Sequence, residues 1–404
     1  MLLPASCFLL VAGALRCARQ AVSPSARPVR VFVTDASLER FPAYAAEVKA
    51  RQAISPTIWL VTGALFTDRS LAVMSDGAAQ VTLLSRAGVD AVVMSTDWLA
   101  FGPPRLEQIV SNARFYALSA NLLDSTGSTL GHPFMVRGSG SAVLALTGLA
   151  FDSADILTCM AGIRYAAPEF AARKTVALMR QRADFVGVMV EPRASGASWD
   201  ADFAVNSDGP GQFSMLASGG SSQVNCYDVA INAGQVSART SNLGRLGVDS
   251  TVALVLDSVK EAVDSIASKP LPLPRGTRTP EALSRVLVDG LLAAKLADGF
   301  LCDSLFVADF KEPKDVGTLV GLLRDPNRLA VLSVAGDVLA GWPEGLMLGP
   351  SLSRSRLSRA KMYRIATTVE YLRRHPALAA AGFNLTARPF WTICRDVLES
   401  GQAK

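Results

Sequence analysis

Histidine is nearly missing from this chain: its 404 residues include two, His132 and His375. That scarcity excludes any mechanism that gathers several imidazoles, such as a histidine-rich dizinc or di-iron centre. Charge is sparse too, at 19% of residues against about 25% in an average soluble protein. The 40 basic and 35 acidic side chains leave a surplus of +5, too mild to point to nucleic acid, and no nucleic-acid partner is expected. There is no CxxC pair, so a zinc knuckle is not indicated. Cys159, Cys226, Cys302 and Cys394 are widely spaced; an exported chain permits disulfides among them without fixing the pairing, and buried apolar thiols fit as well. No GxSxG elbow occurs, and both histidines precede prolines, which gives poor support to a serine triad. Gly138-Ser139-Gly140 leads into an apolar strand rather than a helix, so it reads as a turn and not as a dinucleotide loop.

What the chain does have is apolar content. Half of it is hydrophobic, enough for sizeable cores, and its length gives two or three domains at about 150 residues each. Residues 7–15 (CFLLVAGAL) form an apolar run suited to a signal-peptide core and too short to cross a bilayer. Residues 1–28 are therefore expected to be a signal or anchor segment, and the protein to be exported to the periplasm or cell envelope. The usual basic start is absent, and Arg16 is a poor neighbour for Cys17 as a lipidation site. Removal of the first 20 or so residues would take Arg16 and Arg19 with it, lowering the charge from +5 to +3. No later stretch has 18 uninterrupted apolar residues.

Strands and helices alternate through the first half. Residues 30–34 (RVFVT), 56–62 (PTIWLVT), 91–94 (AVVM), 115–119 and 141–146 read as strands. Residues 43–50, 75–87 and 103–113 read as helices, the second closed by Gly88 and the third opened by proline. This order predicts an α/β layer architecture. A long amphipathic segment covers residues 251–269, and a proline-rich linker (PLPLPRGTR) follows from residue 270. The expected organisation is 29–269, a linker at 270–279, and a mixed α/β unit at 280–404.

Three stretches carry a likeness to a known family: GVDAVVMSTDWLAFGPPRLEQIVSNARFYALSANLLD at 88–124, NLGRLGV at 242–248 and LAVLSVAGDVL at 329–339. On these the chain resembles the 5'-nucleotidase and UDP-sugar hydrolase family from about residue 30 to residue 400. The resemblance implies an α/β fold: a calcineurin-like metallophosphoesterase β-sandwich flanked by helices, then an α+β 5'-nucleotidase C-terminal domain. In that family the first strand ends in Asp-x-His; here the turn is Asp35-Ala36-Ser37. The bridging aspartate falls on Ala64, after Gly63. The Asn-His-Glu turn falls on Thr96-Asp97-Trp98, the Ser-His strand end on Val190-Glu191, and the Gly-His-x-His turn on Gly220-Ser221-Ser222-Gln223.

By this matching one ligand of the family's metal pair, Asp35, survives. Two divalent ions held close together repel, and a bridging carboxylate with imidazoles is what holds them. Alanine cannot bridge, and Ser37, Ser221 and Gln223 are weak neutral ligands. The resemblance thus implies a vestigial cleft at Asp35, Ser37, Ala64, Thr96, Asp97, Glu191, Ser221 and Gln223, with no catalytic residue and no cofactor expected. Asp35, Asp97 and Glu191 could converge on one hard cation such as Mg²⁺ or Ca²⁺, the alternative being ordinary loop carboxylates.

The C-terminal substrate loop is eroded as well. The family's Asn-Gly-Gly-x-x-Arg falls near Ala308-Asp309-Phe310, and its Pro-Phe-x-Asn turn on Arg324-Asp325-Pro326-Asn327. Asn327 is kept as a substrate-binding position while Asp325 replaces the aromatic. Phe310 and Phe383 are candidate stacking aromatics that fit a core equally. Residues 353–364 carry Arg354, Arg356, Arg359, Lys361 and Arg364, a solvated face or a patch for an anionic partner such as lipid head groups. Three readings stay open: a silent nucleotidase relative reused for binding, a hydrolase with a carboxylate single-metal site, and a surface or assembly protein whose old cleft is filled in. The sequence names no ligand, membrane or protein partner and no oligomeric state.

Overall fold

The computed structural model describes residues 29–66, 69–139, 142–150, 155–190, 199–207, 213–215, 226–232, 235–240, 247–307, 310–341, 346–348, 357–380 and 382–400. The first half is built on two sheets. Strands β1 (Val29–Thr34), β2 (Thr57–Val61), β3 (Ala91–Val93) and β4 (Tyr116–Leu118) run parallel in the order of the chain. A hairpin described below extends this sheet on its β1 side. After the short β5 (Leu122–Asp124), the strands β6 (Met135–Ser139) and β7 (Ala142–Leu149) form a hairpin, and β8 (Ile163–Tyr165) pairs back on β5. The second sheet has the order β11-β10-β9-β7-β6, with β9 (Phe185–Val190), β10 (Phe203–Ser207) and β11 (Phe213–Met215). The ribbon β12 (Cys226–Asn232) and β13 (Gln235–Thr240) then returns to the first sheet and pairs antiparallel with β1.

Alternation along β1 explains the layering, because successive strand side chains face opposite ways. Val29, Val31 and Val33 join Ile58, Leu60, Val93, Leu144 and Phe203 between the two sheets. Phe32, Trp59, Val61 and Val92 point to the other face, which is covered by helices α1 (Phe41–Gln52), α2 (Ala78–Ala87) and α3 (Pro103–Asn112). Helix α4 (Pro168–Met179) buries Ala172, Val176 and Met179 against the outer face of the second sheet. The result is a four-layer arrangement of helices, sheet, sheet and helix. The sheets approach closely where Gly148 of β7 meets β4: a side chain there would lie 2.7 Å from the Leu118 carbonyl oxygen.

The expected helix over 75–87 begins three residues later, at Ala78. Asp76 and Gly77 both hold left-handed backbone, φ +51° and +78°, which interrupts the helical path and starts a new one. The hairpin partner β6 is not among the strands read from the sequence, because MVRGS lacks a run of β-branched residues.

Helix α5 (Ser250–Ala267), capped by Asp249 through the Val252 amide at 3.0 Å, packs beside α1 and α2. Residues 270–279 follow: Leu271 donates its amide to the Lys314 carbonyl at 3.1 Å. Beyond lie α6 (Pro280–Ala293), β14 (Gly299–Leu301), α7 (Val316–Leu322), β15 (Ala330–Ala335), β16 (Leu346–Leu348), β17 (Met362–Thr367), α8 (Val369–Arg374), β18 (Asn384–Leu385) and α9 (Phe390–Glu399). A third sheet has the order β16-β14-β17-β15-β18. One hydrophobic cluster runs from Phe32, Trp59 and Trp98 in the first half to Phe300, Tyr371 and Phe390 in the second.

A polar clasp reinforces this shared core. The Arg328 guanidinium, 3% exposed, donates to both carboxylate oxygens of Asp76, at 2.7 and 3.1 Å, and to the Ala387 carbonyl at 3.2 Å. Arg105 reaches the same carboxylate at 3.1 Å. Nearby, the Trp391 indole donates to the Val73 carbonyl at 3.1 Å. Removing one partner of such a pair strands the other without solvent. Asp76→Ala is therefore expected to cost about 3 kcal/mol, the low end of the range for buried pairs because Asp76 keeps some water. Urea denaturation followed by tryptophan fluorescence measures it; a loss under about 0.5 kcal/mol, the level of an exposed pair, would refute the clasp.

Candidate functional site

Loops at the carboxyl ends of β1, β2 and β3 gather on one edge of the first sheet, the usual place for a site in parallel sheets. The sequence places Asp35, Ala64, Thr96 and Asp97 there, and each can be followed to its surroundings.

Asp35 follows β1 and is 6% exposed. Its Oδ1 accepts from the Tyr44 hydroxyl at 2.7 Å and from the Ser37 amide at 3.1 Å, while Arg40 stands 3.8 Å from Oδ2. Burial, reinforced by the negative charge of Asp35, pushes the Tyr44 hydroxyl well above the usual tyrosine range. Tyr44 therefore keeps its proton and acts as a donor to Asp35. Ser37 contributes its backbone amide to this turn. Ala64 is exposed, after Gly63 at φ +100°, and its methyl group offers no donor atom to a cation.

The β3 loop is a 3-10 segment, Thr96–Phe101. Asp97 ties it to the β2 loop: Oδ2 accepts from the Phe66 amide at 2.8 Å, and Oδ1 accepts from the Ser95 hydroxyl. Removal from water pushes the Asp97 carboxyl up to about 6, and the nearby Asp155 adds to the shift against the donors from Ser95, Phe66 and Trp98. Asp155 itself caps the 3-10 turn Ile156–Cys159, accepting from the Leu157 amide at 3.0 Å, with Arg373 at 3.8 Å.

Trp98 stands next in the chain, at the position where the resemblance calls for glutamate beside a histidine. It is 0% exposed. The Phe66 ring meets it edge-on at 5.1 Å and meets Phe101 at 4.6 Å. The indole N–H of Trp98 and the hydroxyl of Thr62 are buried without a hydrogen-bond partner. These loops are thus held together by aromatic packing and by internal hydrogen bonds.

Glu191, Ser221 and Gln223 lie outside the described residues, as do Ala308 and Asp309 of the C-terminal loop. Among the described residues no three His, Cys, Asp or Glu side chains stand together as metal ligands. The donors described at Asp35, Ala64 and Thr96–Trp98 do not fit a metal pair: one carboxylate is committed to Tyr44 and Ser37, one position has no donor atom, and one is an indole in a core.

In the second half, Asp325 accepts from the Val369 and Glu370 amides at 3.0 and 3.3 Å, capping α8 together with Thr368. Burial raises its carboxyl above the usual range. The Asn327 backbone carbonyl accepts from Phe390, and its amide donates to Asp325 at 3.3 Å. Phe383 is buried in the core and Phe310 packs on Phe306 at 5.1 Å. Asn121 and Ser119 of the LSAN stretch are also structural: Asn121 donates to the Ala150 carbonyl at 2.6 Å, and the Ser119 hydroxyl accepts from the Leu122 amide at 3.1 Å.

No protein-family model matches the chain, and no curated protein matches it in sequence. Solved structures do match it in shape. The Staphylococcus aureus protein assigned as a 5'-nucleotidase superposes with a TM-score of 0.55 at 12% identity, over 92% of this chain and 96% of that one. The 5'-nucleotidase precursor of Thermus thermophilus gives a TM-score of 0.50 at 14% identity, over 93% and 97%. This is the 5'-nucleotidase fold. The resemblance read from the scaffold stretches is right at the level of architecture: a calcineurin-like sandwich and an α+β unit on one chain. The residues that the sequence does not single out are Tyr44, Phe66 and Asp155. Tyr44 belongs to no motif and stands on a helix; only its contact with Asp35 reveals its part.

Two outcomes test the aromatic packing and the loop bond. Trp98→Phe removes the unpartnered N–H and is expected to change stability by less than about 1 kcal/mol, whereas Trp98→Ala should cost about 3–5 kcal/mol; equal, small losses in chemical denaturation would mean the indole is not packed. For Asp97, the folded value of about 6 lies above the ordinary 3.8, so the folded state binds the extra proton and stability falls as pH rises from about 4 to about 6. Asp97→Asn should flatten that slope, by at most about 3 kcal/mol across the window. Unfolding midpoints at several pH values measure it, and an unchanged slope would refute the assignment.

Proposed function

We propose that this protein is a non-hydrolytic member of the 5'-nucleotidase fold, reused as a surface or assembly protein with its old cleft filled in. The observation that carries this reading is the buried Trp98, packed by Phe66, together with an Asp35 whose Oδ1 accepts from both Tyr44 and Ser37. Hydrolysis by a metal pair needs a bridging ligand and an open coordination position for water. A methyl group at Ala64 and an indole in the cleft supply neither. An open polar cleft would favour a ligand-binding role instead; the aromatic packing favours the filled-in one.

Export fits the same reading. The apolar run at residues 7–15 would direct the chain to the periplasm or cell envelope; it lies outside the described residues. No helix among the described residues is long and apolar enough to cross a membrane. Of the basic run near the C-terminal end, Arg354 and Arg356 lie outside the described residues, while Arg364 donates to the Leu296 carbonyl at 2.8 Å.

Purified protein loaded with excess Mn²⁺ or Mg²⁺ is expected to hold less than stoichiometric metal after desalting and to leave nucleotide and nitrophenyl phosphoesters intact. Stoichiometric metal together with turnover abolished by Asp35→Ala would overturn the proposal and establish the carboxylate single-metal hydrolase in its place.

A further inference from the structure

We propose that the groove between α2 and α3 binds a compact organic dianion, a phosphate monoester or a dicarboxylate. The groove is an open cavity of about 270 Å³ on the helical face. Its floor is apolar, from Val81 and Ile109, and its walls carry Arg86, Arg105 and Arg114 with no acidic side chain in the lining. The proposal does not depend on the reading of the cleft as inert.

The three arginines are not equivalent. Arg105 is engaged: its Nε and Nη2 donate to the Asp76 carbonyl at 3.0 and 2.7 Å, and its Nη1 to the Gln108 side chain at 3.1 Å. Arg86 and Arg114 are exposed and have no side-chain partner among the described residues. The Arg114 amide donates to the Ser85 hydroxyl oxygen at 3.2 Å, which fixes the root of Arg114 against α2 and leaves the hydroxyl proton free to donate. Thr82 and Asn112 add a hydroxyl and an amide to the same wall, both exposed.

Cations near helix C-termini stabilise those ends, and Arg86 sits in the last turn of α2 while Arg114 follows α3 by two residues. That role accounts for about one half-charge at each helix end. It does not account for two unengaged guanidiniums, those of Arg86 and Arg114, lining one concavity beside Arg105. Their +2 exceeds the roughly −1 of two helix ends, with Arg105 set against Asp76, so the groove carries net positive potential. Planar guanidiniums suit oxyanions in two-point contact, the hydroxyls and amide supply further donors, and the apolar floor receives a short carbon body. Such a site is wide enough for a small metabolite-sized anion and has no wall that would enclose a larger one.

Calorimetric titration of the full chain with glycerol phosphate and with succinate, each against sodium chloride at matched ionic strength, tests the site and separates the two ligand sources. Saturable binding to one of them is expected, weakened at least about tenfold, one step of 1.4 kcal/mol, in Arg86→Ala and in Arg114→Ala. Arg182→Ala, an exposed arginine on the far side of the second sheet, should leave it unchanged. Both groove substitutions remove exposed side chains, and melting curves verify that the variants stay folded. Heats no larger than the chloride control, or binding that survives the paired Arg86→Ala and Arg114→Ala substitutions, would overturn the proposal.

Discussion

One carboxylate, that of Asp76, ties the first helical layer to the second half of the chain. Asp76 holds a left-handed backbone that few residues other than glycine adopt, and that turn launches α2 in the direction its packing requires. Its side chain then receives Arg328 from the second half and Arg105 from α3. A guanidinium as buried as that of Arg328 is unfavourable unless its donors are met. Asp76 and the Ala387 carbonyl meet them, and only when the third sheet is seated against the first helical layer. The polar pair therefore fixes orientation, while the continuous cluster from Phe32 to Phe390 supplies the attraction. Neither would do alone: apolar burial is non-directional, and the ion pair is strong only where that burial has taken Arg328 out of water.

Three carboxylates, two after strands of the first sheet and one in the second half, play a common part. Asp35 accepts from Tyr44 and Ser37, Asp97 bridges the β2 and β3 loops, and Asp325 caps α8. Each is an internal acceptor for donors of the surrounding loops and helices. A metal centre also ties strand ends together, through coordination bonds from several loops. Here hydrogen bonds to Phe66 and Ser95 and the edge-on contacts of Phe66, Trp98 and Phe101 do that tying.

The scaffold was legible in the sequence because β-branched runs such as RVFVT and TIWLV have few other uses than buried parallel strands. The four parallel strands of the first sheet fall within a residue or two of their expected ends. What escaped was set by distant partners. The start of α2 was moved by Asp76, whose conformation is bound to Arg328, 252 positions away. Strand β6 has a weak pattern of its own and is fixed by pairing with β7. In the site, the methyl group at Ala64 and the indole at Trp98 could be read from residue types. The commitment of Asp35 to Tyr44 could not, since it depends on how a helix lies over a strand end.

If the chain is the non-hydrolytic member proposed above, its packing also resists a return to metal binding. Restoring a histidine at Ser37 and an aspartate at Ala64 would return donor atoms but not space. Trp98 and Phe66 would still be packed on one another, and close-packed interiors do not open for a ligand without losing the contacts that hold them. Asp35 would have to release Tyr44, leaving a buried hydroxyl without its acceptor. Asp97 would have to release the Phe66 amide, and with it the link between two loops. On that reading, each aromatic contact and each internal hydrogen bond of these loops adds stability that a bound metal would have to displace.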